Sequence, residues 1–176
     1  MTWFIAYDCN NLIHMLHVAL FEPEIPPNTG NIARLCAATG SPLHIVGVPG
    51  FRMDDRTLKR AGLDYWQHVE LHRHIDLESL QKSLRSSRFL FLTTKSDRLY
   101  TDVRYEENDC IVFGPETRGL PGSVLLANHD RCLKIPMQNP NVRSLNLATS
   151  VGIVLYEAIR QHSTTNSTQQ LPSARN

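Results

Sequence analysis

The sequence predicts a single α/β domain with a parallel sheet flanked by helices. Short, continuous apolar runs recur along the chain, as expected for strands that are buried on both faces. Segments with helical periodicity lie between these runs, and such alternation is typical of a parallel sheet. The length of 176 residues is enough for one core without metals or disulfides.

The predicted strands are the apolar runs themselves. They are Leu16–Phe21, Leu43–Val48, Phe89–Thr93, Cys110–Phe113 and Cys132–Ile135, with His68–Leu71 as a weaker candidate. Each is bounded by polar, glycine or proline residues, which end strands because they favour turns.

The predicted helices fill the connections between strands. They are Asn31–Thr39, Asp54–Ala61, Asp76–Ser86, Gly122–Asn128 and Ser144–Gln161. Gly40 and Gly62 follow the first two, and glycine is the usual residue after a helix end. In the last helix, apolar residues from Leu147 to Ile159 recur at helical spacing. This stripe indicates packing on the sheet, and part of it could also form a subunit interface.

The domain is expected to span residues 15–161. Residues 1–14 show no clean period and are interpreted as an extension outside the core, with Met15 as the functional start. Residues 162–176 are predicted to be a disordered tail, because this end is rich in Ser, Thr, Gln and Asn and has almost nothing to bury.

Composition argues against several classes of protein. A net charge of +1 and a pI near 7.8 show no global affinity for polyanions, so an RNA partner must meet a local patch. The four cysteines have no CxxC spacing, which favours a reduced, cytoplasmic protein. No apolar run approaches the ~18 residues of a membrane span, and no metal is expected, since His72 and His74 lack a third nearby ligand.

Three segments rich in glycine, proline and polar residues stand where predicted strands end. They are Pro26–Asn31, Phe113–Pro121, and Ile135–Met137 together with Ser144–Asn146. Ligands of open parallel sheets bind beyond the carboxyl ends of the strands, so the segments could line one site. The chain has no GxGxxG, GxxxxGK[ST] or GxSxG motif, which argues against dinucleotide binding, P-loop chemistry and serine hydrolysis.

These segments resemble, in order and spacing, the three motifs of the SPOUT methyltransferases. The matching residues are Asn28-x-Gly30-x-x-x-Arg34, then Phe113-Gly114-Pro115-Glu116-x-x-Gly119-Leu120-Pro121, then Ile135-Pro136-Met137 with Ser144-Leu145-Asn146-Leu147. Glu22–Ile32 and Ala61–Tyr65 are similar to the small enzymes of that superfamily that methylate the ribose 2′-hydroxyl of the wobble nucleotide, cytidine or modified uridine, in leucine tRNAs. The resemblance covers nearly all of residues 15–161. It implies a homodimer and a deep trefoil knot in the C-terminal part of the domain.

The resemblance also implies S-adenosyl-L-methionine as the cofactor, held largely by main-chain groups. The expected cofactor contacts are Leu92, Gly114, Gly119, Leu120, Ile135, Met137 and Ser144. Glycine lets the backbone approach a ligand closely, and the apolar members could supply the walls of a pocket.

Arg34, Asn28, Glu116 and Asn146 are the candidate catalytic residues, carried over from the family motifs. A guanidinium is rarely deprotonated, so Arg34 is better suited to bind a phosphate and stabilise a developing alkoxide than to act as a base. Glu116 needs a partner in so apolar a turn. Asn28 either orients the reacting groups or simply caps a helix.

RNA contacts are expected in the densest basic and aromatic region. Its candidate residues are Arg52, Arg56, Lys59 and Arg60, with Arg73, Tyr65 and Trp66 nearby. They could bind an anticodon stem-loop, since single-stranded RNA loops are read by arginine and by aromatic stacking, or form a solvated helix face. Two other functions stay open: 2′-O-methylation of another tRNA or ribosomal RNA position, and RNA binding without catalysis.

Overall fold

The computed structural model describes residues 15–53 and 65–168, with the backbone alone for 164–168. The described strands are β1 His17–Phe21, β2 Leu43–Val46, β3 Leu71–His74, β4 Phe89–Leu92, β5 Cys110–Phe113 and β6 Cys132–Leu133. The described α-helices are α1 Pro26–Thr39, α2 Leu77–Ser83, α3 Gly122–Ala127 and α4 Leu147–Thr168. Single 3₁₀ turns occur at Trp66–His68 and His129–Arg131.

The strands form one six-stranded sheet in the order β3-β2-β1-β5-β4-β6. Every strand pair in it is parallel, so all the carboxyl ends share one edge. The chain runs outward from β1 through β2 and β3, and then crosses to the other side of β1 to form the remaining strands. Ligands of α/β sheets bind where the strand order reverses in this way. The predicted α/β class with a parallel sheet and flanking helices is confirmed.

Side chains from successive strand positions enter two separate apolar layers. On one face, Val18 and Leu20 of β1 pack with Ile32 of α1 and Leu155 of α4. On the other face, Ala19 packs in a layer that includes Leu80 of α2 and Val124 of α3. Burial on both faces explains why the strands are continuous apolar runs in the sequence.

Helix α1 begins at Pro26, whereas the sequence predicted a start at Asn31. Pro26 and Pro27 fill its first two positions, and Ile25 stands before them without a capping side chain. Proline is tolerated there because its ring presets the helical φ and its missing N–H would have no partner in the first turn. The predicted loop Pro26–Asn31 is therefore the first turns of a helix.

Several other boundaries also differ from the prediction, and three of them follow. The weak strand candidate at His68–Leu71 is displaced to Leu71–His74, where it pairs with β2. Helix α2 spans Leu77–Ser83, and Asp76 caps it by accepting a hydrogen bond from the Ser79 N–H at 2.7 Å. Helix α4 continues to Thr168, past the predicted end at Gln161.

Several sequence predictions lie outside the described residues. They are the extension 1–14, the helix Asp54–Ala61, and residues 169–176 of the proposed tail. Among the helices that the structure does describe, none combines the length and apolarity needed to span a bilayer. The described cysteines Cys36, Cys110 and Cys132 are buried free thiols, and burial raises the pKa of Cys36 to about 12.

Candidate active site

A cleft of about 500 Å³ opens at the carboxyl edge of the sheet, beside the point where the strand order reverses. Its walls come from the segments that follow β4, β5 and β6 and from the beginnings of α1 and α4. All of the predicted cofactor contacts line it, namely Leu92, Gly114, Gly119, Leu120, Ile135, Met137 and Ser144. Three motifs that are far apart in the sequence thus meet at one cavity, while their roles in binding stay predictions.

The loop after β5 forms one wall of the cleft by folding back on itself. The Gly119 N–H donates to the Pro115 carbonyl at 2.9 Å, and Gly119 has a left-handed φ of 68°. A Cβ atom added to Gly114 would lie 2.3 Å from the Leu120 nitrogen and 2.5 Å from the Gly119 carbonyl carbon. Gly114 is therefore required for the loop to close, whether or not it also makes room for a ligand.

A chain of side-chain hydrogen bonds joins α4, α1 and this loop; we call Asn146, Asn28 and Glu116 the amide chain. Asn146 Oδ1 accepts from the N–H groups of Ala148 at 2.9 Å and Thr149 at 3.2 Å, so it caps α4. Asn146 Nδ2 donates to Asn28 Oδ1 at 2.9 Å, and Asn28 Nδ2 donates to Glu116 Oε1 at 2.9 Å. Both amides are thereby held in one orientation.

Glu116 ends the amide chain as an acceptor. Its Oε2 accepts from the Glu24 backbone N–H at 2.9 Å, so each carboxylate oxygen has an N–H donor. Donors to both oxygens fix the orientation of the carboxylate. Asn28 is 6% exposed and lies in the first turn of α1, bonded to Glu116. The interpretation of Asn28 as a helix cap was wrong, because α1 starts two residues earlier.

A second set of contacts fastens the loop after β5 to the segment after β1. Thr117 donates to Glu24 Oε2 from its N–H at 3.1 Å and its Oγ1 at 2.7 Å, and these bonds hold the pKa of Glu24 below its usual value. Arg118 pairs with Glu22, which has a left-handed φ of 44°. Sequence reasoning treated Glu22 and Glu24 only as part of a similar segment. No local signal in the sequence links them to Thr117 and Arg118, which lie 93 and 96 positions further along the chain.

Arg34 is the one catalytic candidate that does not line the cleft. It is exposed on α1, and its Cζ lies 4.9 Å from the centre of the Tyr65 ring, a cation–π contact. Six residues separate it from Asn28, which on an α-helix turns the side chain by about 240°. Asn28 and Arg34 therefore face different sides of the same helix.

The predicted RNA patch is described only in part. Arg52 is exposed, and so is Tyr65. Arg56, Lys59 and Arg60 lie outside the described residues. Within residues 15–53 and 65–168, the structure has no group of three or more His, Cys, Asp or Glu side chains arranged to hold a metal ion.

Sequence reasoning missed two cationic side chains at the cleft. Lys95 follows β4, and Arg143 precedes the predicted cofactor contact Ser144. In the sequence each is an ordinary charged loop residue outside the matched motif positions. A third cation at the cleft, Arg118, lies within the predicted segment Phe113–Pro121.

Comparison with known proteins places the chain among RNA methyltransferases. Residues 15–156 match the model of the SpoU rRNA Methylase family. A tRNA (cytidine(34)-2′-O)-methyltransferase from Escherichia coli (strain K12) is 49% identical over 148 residues, which are 84% of this chain and 94% of the relative.

Solved structures of RNA methyltransferases are also similar to this chain. A protein studied for 2-OH methylation of C/U34 on tRNA superimposes with a TM-score of 0.81 and 46% identity, over 86% of this chain and 99% of that one. An AdoMet-bound rRNA methyltransferase from Sinorhizobium meliloti has a TM-score of 0.71 and 27% identity, over 83% of this chain and 56% of that one.

Proposed function

The chain belongs to the SpoU rRNA Methylase family, and we propose that it methylates the ribose 2′-hydroxyl of the wobble nucleotide of tRNA. The methyl donor is S-adenosyl-L-methionine, and the expected substrates are leucine tRNAs with cytidine or modified uridine at that position. The observation that carries the proposal is that the three family motifs line one cleft in a chain whose E. coli relative bears this activity in its name.

The cleft suits the proposed donor. Its volume of about 500 Å³ lies within the range of small-molecule sites, which is ~300–1,000 Å³. Leu92, Leu120, Ile135 and Met137 supply apolar surface, and the backbone of the Gly114 loop supplies polar groups. When bound, the donor presents a methyl group on a positively charged sulfur.

The amide chain supports a mechanism based on positioning. It ties the start of α4, the first turn of α1 and the loop after β5 into one rigid wall. Holding two reactants in the right orientation can lower a barrier by up to ~7–11 kcal/mol. Because both Glu116 oxygens already accept N–H bonds, its role is to hold this wall rather than to remove the hydroxyl proton.

The position of Arg34 supports a homodimer. In its own chain, the Arg34 guanidinium faces away from Asn28 and the cleft. A second copy would allow Arg34 to reach the cleft of its partner, next to the ribose and its phosphate. The exposed Tyr156 on α4 offers apolar surface for such an interface. The proposal includes the C-terminal trefoil knot, which is carried over from the resemblance of the motifs to the SPOUT methyltransferases.

The first test identifies the methylated nucleotide. Purified protein is incubated with radiolabelled donor and transcripts of leucine tRNAs, and the product is mapped by nuclease digestion. Methylation of nucleotide 34 is expected. Label at another tRNA position or in ribosomal RNA would show that the protein is a 2′-O-methyltransferase with a different substrate. Failure to bind the donor would favour an RNA-binding protein without catalysis.

A second test asks whether Arg34 acts in the partner's cleft. Arg34→Ala and Glu116→Ala chains are each expected to be inactive as homodimers. Random mixing should restore about a quarter of wild-type activity, because half of the dimers are mixed and each contains one complete site. Arg34→Ala should retain cofactor affinity in calorimetry. A mixture that stays inactive, with mixed dimers shown by native mass spectrometry, would place Arg34 in its own chain's site or outside the mechanism.

A further inference from the structure

Three positively charged side chains line the cleft: Lys95, Arg118 and Arg143. Lys95 lies in a turn just after β4, where its backbone N–H donates to Thr93 Oγ1 at 3.2 Å. Arg143 lies just before the predicted cofactor contact Ser144 and the α4 cap Asn146. Lys95 and Arg143 are both exposed. They approach the cleft from two different segments, one after β4 and one before α4.

The three cations differ in their partners. Arg118 pairs with Glu22 and lies 3.7 Å from Glu24, so its charge is largely neutralised. Lys95 and Arg143 have no carboxylate or side-chain hydrogen-bond partner in the part of the chain that the structure describes. Some cations elsewhere in that part are paired, such as Lys82 with Glu78 and Arg88 with Asp109, and others, such as Arg104, are not. What distinguishes Lys95 and Arg143 is that they are unpaired and line the cleft.

Lys95 and Arg143 bring two unpaired positive charges to one cleft, although the net charge of the whole chain is only +1. Leaving them unpaired concentrates positive potential at the cleft, where an anionic group would meet it. Their chemistry suits phosphate. A lysine ammonium acts as a compact charge, and an arginine guanidinium can donate two parallel N–H bonds to two oxygens of one phosphate.

We propose that Lys95 and Arg143 bind the backbone phosphates that flank the nucleotide being methylated. This inference rests on the proposed function and adds residues to it. A ribose that enters the cleft brings its own 5′ and 3′ phosphates to the opening. Cations on two different segments that line the cleft can hold both phosphates, and this sets the direction from which the 2′-hydroxyl enters. Lys95 and Arg143 are positioning residues for the RNA and do not contact the reacting atoms.

The methyl donor also carries an anion, the carboxylate of its methionine part. The two sources can be separated because donor binding can be measured without RNA. If the cations bind phosphates, their removal changes RNA affinity and leaves donor affinity at the wild-type value. If they bind the carboxylate, their removal weakens donor binding and leaves RNA affinity at the wild-type value.

The test measures the salt dependence of RNA binding. Lys95→Gln, Arg143→Gln and the double variant are titrated with an unmodified tRNA transcript carrying cytidine at position 34, over a series of KCl concentrations. The slope of log K against log salt should fall by about 0.7–0.9 for each side chain removed. Arg104→Gln is the matched control. Arg104 is also exposed and without an ion pair among the described residues, but it precedes β5 at the opposite edge of the sheet.

Kinetics give a readout that a purely structural role would not change. The double variant should raise the KM for tRNA and keep its kcat at saturating tRNA, and Arg143→Lys should recover part of the lost affinity. Calorimetry with S-adenosyl-L-homocysteine should show unchanged donor-site affinity. A wild-type salt slope in the double variant overturns the inference, as does weaker donor-site binding with an unchanged slope.

The outcomes also separate this inference from the proposed function. Wild-type protein that neither binds nor methylates tRNA refutes both. Wild-type protein that methylates nucleotide 34, with a double variant of unaltered slope and KM, refutes only the role of Lys95 and Arg143.

Discussion

Two series of hydrogen-bonded polar side chains differ in where they lie in the fold. The amide chain borders the open cleft. The other, which we call the histidine chain, consists of His17, His44 and His74 and crosses β1, β2 and β3. His17 Nδ1 lies 3.0 Å from His44 Nε2, and His44 Nδ1 lies 3.0 Å from His74 Nε2. It does not line the cleft.

The amide chain and the histidine chain both provide hydrogen-bond partners for buried polar groups, but they do so with different side chains. Each satisfies buried polar groups that would otherwise be costly. In the amide chain, the bond between Asn146 and Asn28 joins two groups that do not titrate, so it does not depend on pH. In the histidine chain, burial first, and then the neighbouring histidines, lower the pKa of His44 to about 3. We therefore expect the amide chain to maintain the site, and the histidine chain to make the stability of the fold depend on pH.

The largest expected effect is that of Gly114→Ala, which alters the wall of the cleft. The new Cβ would lie 2.3 Å from the Leu120 nitrogen, which is backbone and cannot rotate away. We expect a loss of about 3 kcal/mol in unfolding free energy, at the upper end of the usual range for overpacking, and no measurable donor binding, because the wall of the cleft must move. Urea denaturation and calorimetry measure the two effects.

Gly122→Ala is the control, because no atom lies within 4 Å of a Cβ placed there. Retained donor affinity in Gly114→Ala would show that the loop after β5 can close without glycine. The loop after β5 would then not be a structural requirement of the cleft.

Parts of the amide chain could be predicted from sequence, and the histidine chain could not. Glu116 and Asn146 stand in segments marked by glycine and proline at strand ends, so they could be assigned to one edge of the sheet. His17 and His44 meet only because β1 and β2 pair with Ala19 opposite His44, a register between segments distant in sequence. The predicted start of α1 was too late because Pro26-Pro27 is compatible both with a turn and with the first turn of a helix.

The second prediction concerns pH and the histidine chain. The pKa values of His17, His44 and His74 are all lowered, mainly by burial. The unfolded chain therefore binds more protons as pH falls below about 6.5, and stability present above that pH is lost. For His44 alone, with a folded pKa of about 3, the loss between about pH 6.5 and pH 5 should be about 2 kcal/mol.

Urea denaturation at several pH values checks this, with His44→Leu as the test variant. The groups that face His44 are His17, His72 and His74, with Glu70 beyond His72. The variant should be less stable near neutral pH and should lose less stability on acidification. His129→Gln is the exposed control, because His129 lies in the 3₁₀ turn before β6 and not beside His44. An equal pH dependence in His44→Leu and wild type would remove the proposed contrast between the two chains.

The smallest expected effect on stability comes from Asn146→Asp, which separates the two roles of Asn146. Aspartate keeps the oxygen that accepts from Ala148 and Thr149, and a negative charge at a helix N-terminus is favourable by about 0.3–1 kcal/mol. It cannot donate to Asn28 Oδ1, so two oxygens would face each other where the 2.9 Å bond now lies. These effects oppose, and the unfolding free energy should change by less than about 1 kcal/mol.

Methyl transfer should nevertheless fall strongly in Asn146→Asp, because Asn28 loses the bond that fixes its amide. Asn146→Ala removes the cap as well and should cost about 1 kcal/mol more in stability, with a similar loss of turnover. If Asn146→Asp turned over tRNA at the wild-type rate, the link between Asn146 and Asn28 would be dispensable. The amide chain would then be, like the histidine chain, a way of satisfying buried polar groups rather than a part of the site.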